Sequence, residues 1–149
     1  MLKLKLTLMS IVLFSSLASA SIGMITHKSN HSVKQTTKNL LKVLKKKGMT
    51  VFKVIKHHKG AKKVGKELRP TTVVIFGNPK VGTPLMQCHQ QVAIDLPQKA
   101  LIWEDEKGQV LFSYNDPRYI ENRHRINGCT EALTKISKAL SNFAKAATK

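Results

Sequence analysis

A chain of 149 residues with 26 Lys and Arg against 8 Asp and Glu is strongly basic, with a formal net charge of +18. Only Arg69, Arg118, Arg123 and Arg125 are arginine, whereas base edges and phosphates are usually gripped by forked Arg contacts, and the few aromatics are too scattered to form a base-stacking platform. Nucleic acid is therefore not an expected partner, and the lysine excess reads either as a solvated surface or as attraction to anionic surfaces such as lipid headgroups, lipopolysaccharide or acidic polymers.

The N-terminus has the pattern of a secretory leader. Lys3 and Lys5 precede an apolar, uncharged run from Leu6 to Leu17, and Ala18-Ser19-Ala20 supplies small residues before a cut at Ala20/Ser21. The run is too short to span a bilayer comfortably, and no later stretch is longer. Residues 1–20 are read as a signal peptide and 21–149 as one exported domain, periplasmic or secreted. In an oxidising compartment Cys88 and Cys129 are candidates for a disulfide. They lack the CxxC spacing of a redox pair.

Ser21 to Lys28 reads as a first short strand. From Val33, the positions Val33, Leu40, Leu41 and Leu44 recur at helical spacing, with Asn30 or Ser32 as N-cap and Gly48 as stop. Lys34, Lys38, Lys42, Lys45 and Lys46 line the opposite side of this helix, and no acid answers them. Met49 to Lys56 is a strand ended by His57 and His58, followed by a short helix or turn from Ala61 to Glu67. Thr71 to Phe76 is apolar on both faces and reads as a central strand. Asn78-Pro79 and then Thr83-Pro84 read as two successive helix starts, the second running to about Gln91. Lys99 to Glu104 and Gln109 to Tyr114 form a hairpin about the turn Asp105 to Gly108. A helical turn follows Asp116-Pro117 as far as Arg125, and Thr130 starts a final helix with the stripe Ala132, Leu133, Ile136, Leu140, Phe143, Ala147. This order implies an α+β two-layer sandwich, with a mixed or antiparallel sheet and helices mainly on one face.

These residues resemble the domain-of-unknown-function 302 family. The resemblance is carried by VFKVIKHHKGA (Val51 to Ala61), Leu68-Arg69-Pro70-Thr71, IFGNPKVGTPLM (Ile75 to Met86), Asp95-Leu96-Pro97, the hairpin Leu101 to Pro117, and Arg123-His124. It covers about Val33 to Phe143. It implies an α+β sandwich, often dimeric, with no agreed activity and no catalytic residues to carry over; Cys88, Cys129 and the lysine load lie outside it.

Three groups of residues are candidates for a site. The loop Gly77 to Met86, with Asn78, Lys80, Thr83 and Met86, could receive an anion on free backbone N–H groups, although it lacks Walker spacing and its glycines and prolines have structural roles. His58, Met86, Cys88, His89 and His124 include soft ligands, but without ligand spacing, so no metal and no cofactor are expected. A base such as His124 with Asp116 or Glu121 is conceivable, yet no nucleophile stands beside a base. The reading is a non-enzymatic, homodimeric module binding a ligand or partner. One alternative is attachment to anionic surfaces through the lysine faces; another is a hydrolase-like, metal or redox enzyme using His58, Cys88 or His124.

Overall fold

The computed structural model describes residues 23–149. The expected leader, its cut at Ala20/Ser21 and the first residues of the expected first strand lie outside them. The chain runs β1 (Met24–Lys28), α1 (Val33–Lys46), β2 (Thr50–Lys56), α2 (His57–Lys63), β3 (Thr71–Gly77), α3 (Pro79–Cys88), a 3-10 turn (Gln90–Asp95), β4 (Gln98–Glu104), β5 (Val110–Asn115), α4 (Pro117–His124) and α5 (Thr130–Thr148). The strands form one sheet in the order β1-β5-β4-β3-β2, and every pairing is antiparallel.

Alternation along the strands decides which side is core. Val74, Ala100 and Tyr114 are in register across β3, β4 and β5, as are Thr72, Ile102 and Phe112. All six are buried, on the face that meets Leu40 and Leu44 of α1 and Leu140, Phe143 and Ala144 of α5. Each fully buried large apolar side chain stabilises by about 1.5–3 kcal/mol, so this single layer of contact carries the fold. The opposite face carries Ile55, Val73, Ile75, Leu101, Trp103 and Leu111, all only half-buried. β3 is thus interior but not two-sided: β4 is the middle strand, and the apolar run of β3 serves a core face and a half-open face.

Ser32 caps α1, its hydroxyl accepting from the Gln35 N–H. The hairpin turn closes as expected: Asp105 Oδ1 accepts from the N–H groups of Lys107 and Gln109, and Gly108 takes a positive φ of 75°. Other boundaries differ. His57 and His58 open α2 instead of ending a strand, so that helix starts four residues before the expected Ala61 and ends at Lys63 rather than Glu67. Pro79 and Pro84 belong to one helix, with Asn78 as its only side-chain cap and Thr83 inside it. That helix stops at Cys88 and gives way to the 3-10 turn rather than reaching Gln91. Cys129, without a side-chain cap bond, precedes α5 where Thr130 was expected to cap it.

Two further features bear on solution behaviour. His27 faces the core side of edge strand β1, stacked on Tyr114 with ring centroids 6.0 Å apart, and its Nε2 has no hydrogen-bond partner among the described residues. Burial, helped by the ammonium of Lys145, holds its pKa below the ordinary histidine value. Burial and the carboxylate of Asp116 push the Tyr114 phenol up.

Candidate functional site: an apolar cavity at one end of the sheet

The end of β3 builds the first site. Phe76 points into the core and Gly77 turns the chain, and there a Cβ would stand 3.3 Å from both the Phe52 ring and Cβ of Pro97. Phe52 reaches that position because the register of β2 against β3 slips between Val51 and Lys53, leaving Phe52 as a bulged, 54 % exposed residue. Asn78 then starts α3: its Oδ1 accepts from the Lys80 N–H at 2.9 Å and its Nδ2 donates to the Gly48 carbonyl at 3.1 Å. Pro79 at the first helical position needs no N–H partner. Pro84, further in, cannot donate to the carbonyl one turn back.

Between α3, the 3-10 turn and α5 lies a cavity of about 420 Å³. Phe76, Leu140 and Phe143 are among its lining residues, as are Met49, Phe52, Met86 and Leu96. Among the described residues no charged side chain lines it, and its polar residues are Asn78, Thr83 and Gln98. Of the expected binding residues, Asn78, Thr83 and Met86 therefore come together here, whereas Lys80 is exposed and outside the lining. The Lys80 N–H is taken by Asn78 Oδ1 and the N–H groups of Val81 and Gly82 by the Asn78 carbonyl, so at these positions the backbone donors expected to meet an anion are engaged within the helix start. Phe52, Leu140 and Phe143 were not foreseen as neighbours; they come from an edge-strand bulge and the last helix, and no local pattern joins them to Met86.

His58 sits at the other end of β3, about 20 Å away by strand rise. Its Nδ1 takes the Thr71 N–H at 3.1 Å.

His124 belongs to a third group. Its partner is Asp95, not Asp116 or Glu121: Nε2 of His124 lies 2.5 Å from one carboxylate oxygen, and Arg123 donates to the other at 3.0 Å. Asp116 instead caps α4 by accepting from the Arg118 N–H. The His124 side chain is only 8 % exposed. The His89 ring lies 6.0 Å from it, centroid to centroid, and its Nδ1 has no hydrogen-bond partner among the described residues. Beside this group the end of α3 meets the start of α5, where Cys88 and Cys129 face each other with Cα atoms 6.4 Å apart, within the span of a disulfide. Both oxygens of Asp95 are occupied and, among the described residues, no hydroxyl or thiol is hydrogen-bonded to His124; the pair fastens the 3-10 turn to α4. Among the described residues no three His, Cys, Asp or Glu side chains converge as a metal site.

A five-stranded antiparallel sheet with helices on its core face, and a cavity where strand, proline-started helix and last helix meet, defines a small α+β sandwich of the open-faced kind. The chain belongs to the family described as "Domain of unknown function DUF302", whose sequence profile matches residues 25–143. It superposes on the crystal structure of an uncharacterized conserved DUF302 protein from Bacillus stearothermophilus with a TM-score of 0.77, over 87 % of this chain and 100 % of that one, at 16 % identity, a likeness of fold. It is also 41 % identical over 113 residues to the fluoride-specific ion channel FluC 1 of Brucella suis and to FluC 2 of Brucella melitensis. The match covers 76 % of this chain but only 44 % and 42 % of those proteins, so the chain spans less than half the length of these relatives. Among the described residues, no helix is long and apolar enough to cross a membrane.

Proposed function

We propose that this protein is a non-enzymatic module that holds a small, uncharged apolar ligand in the cavity between α3 and α5. The observation that carries this is the lining: about 420 Å³ of space bounded by aromatic and aliphatic side chains with no charge. Ligand pockets commonly have this size and composition. Burial of apolar surface supplies the affinity, and Thr83 and Gln98 are left to orient the ligand. Export, supported by the leader-like N-terminus, would place the module outside the cytoplasm. Pairing of two copies is part of the same reading, supported by the family resemblance and by the half-open sheet face around Val73, Leu101 and Trp103.

Titration of the purified protein with an uncharged environment-sensitive dye tests the cavity. Saturable binding is expected, weakened at least about tenfold by the cavity-filling substitution Ala139→Phe, equivalent to about 1.4 kcal/mol. Absence of saturable binding, or equal binding by a folded Ala139→Phe protein, refutes the assignment. Sedimentation of the same samples tests the pairing: a monomer at all concentrations sinks it.

A further inference from the structure

We propose that the cleft at the opposite end of the sheet is a second binding site, for ligands carrying phosphoryl groups. The cleft, of about 920 Å³, opens between the first half of α1 and the junction of β2 with α2. Lys34 and Lys38 stand one turn apart on α1, Lys56 ends β2 and Lys59 lies on α2; all four line the cleft together with His58. The single acid in the lining is Glu104. Among the described residues, none of these four lysines has a carboxylate within 4 Å; the lysine that does is Lys135, paired with Glu131 on α5.

The position of Lys56 separates this cleft from an ordinary solvated lysine face. Lys56 pairs with Thr72 and follows Val54 by two residues, so it is on the core-facing side of the sheet, where alternation calls for an apolar residue. Its charge is thereby turned towards Lys34 and Lys38. Like charges at this spacing repel, and among the described residues Glu104 is the one carboxylate in the lining, more than 4 Å from each of these ammonium groups. Other polar groups share the lining. Nδ1 of His58 lies 3.1 Å from the Thr71 nitrogen and 3.0 Å from the Thr71 carbonyl oxygen, so both contacts of that atom are with the β3 backbone. The Ser32 hydroxyl accepts from the Gln35 N–H and retains its own hydrogen. The first turn of α1 carries no acid, leaving the positive end of the helix dipole open to the cleft. Several ammonium groups converging from three elements match a multiply charged oxyanion, for which lysine serves as a point charge.

The test uses the whole purified protein and two probes at low salt: free tripolyphosphate, followed by calorimetry, and phosphatidylglycerol vesicles against phosphatidylcholine vesicles, followed by co-sedimentation. Saturable binding of either probe supports the site, and which one binds distinguishes a free from a membrane-borne phosphoryl group. Lys34→Gln with Lys38→Gln, and Lys56→Gln separately, should each weaken binding at least about tenfold, or about 1.4 kcal/mol. Glu104→Gln should strengthen it. Lys138→Gln with Lys145→Gln, which removes equal charge from exposed positions of α5, should leave it unchanged, as should the cavity-filling Ala139→Phe. Equal weakening by the α5 pair shows a diffuse charge effect and overturns the proposal, as does failure of both probes to bind.

Discussion

Replacing Cys88 and Cys129 together by serine removes a covalent link between the end of α3 and the start of α5. The two cysteines are 41 residues apart in sequence. Closing a loop of that length in the unfolded chain costs it conformational entropy worth about 4 kcal/mol at 25 °C, with about 2–4 kcal/mol the usual return in a folded protein. The native state should survive the loss, because α3 is also anchored by Leu85, 1 % exposed, and by Met86 against the core. Urea unfolding at neutral pH is the assay. A loss of about 3 kcal/mol lowers the midpoint by about 1–2 M, with a somewhat steeper slope because the unlinked unfolded chain exposes more surface. The same shift should appear when dithiothreitol is added to the parent protein, and not when it is added to the double variant. Non-reducing mass measurement of protein from an oxidising compartment should find no free thiol. A midpoint within about 0.3 M of the parent, outside the range set by the slope, would refute the loop argument. Because α3 and α5 wall the apolar cavity, the double variant should also bind the dye more weakly.

Acid should weaken the fold through His27. Its folded pKa lies below the ordinary 6.5. Between the two values the unfolded chain binds the proton and the folded one does not, so stability is present above pH 6.5 and falls as pH drops through the folded pKa. His27→Gln should flatten the stability–pH curve in that window, seen by urea unfolding at stepped pH; an unchanged slope there contradicts the assignment. Asp95→Ala should destabilise by about 1–3 kcal/mol, since it strips the nearly buried His124 of its carboxylate partner. Arg123→Ala, at an exposed ion pair on the same carboxylate, should cost less than about 1 kcal/mol. Thermal unfolding of both variants checks the order, and equal losses would mean that Asp95 is not held chiefly by His124.

The α+β class, the hairpin about Asp105 to Gly108 and the amphipathic helices α1 and α5 were legible in the sequence. Each is specified by neighbours in the chain: a turn residue that must take positive φ, a stripe every three or four residues, a serine before Val33. Proline was less reliable. Pro84 looked like a new helix start because a proline must forgo an N–H bond, but the walls around α3 hold one continuous helix through it. The His57-His58 pair looked like a strand end after a β-branched run, whereas in the fold it starts α2 with His58 against the backbone of Thr71. The sites lay further out of reach. Asn78, Thr83 and Met86 could be named from their motif, but not as the wall of an apolar cavity whose other side is Leu140 and Phe143. His124 could be suspected, but not its partner Asp95, 29 residues earlier. The lysines of α1 were visible as a face without acids; that Lys56 is turned towards them follows from the register of β2 on β3. Periodicity and capping act over a few residues and are written in order along the chain. Cavities, ion pairs and charge clusters join residues that only the closing of the sheet brings together.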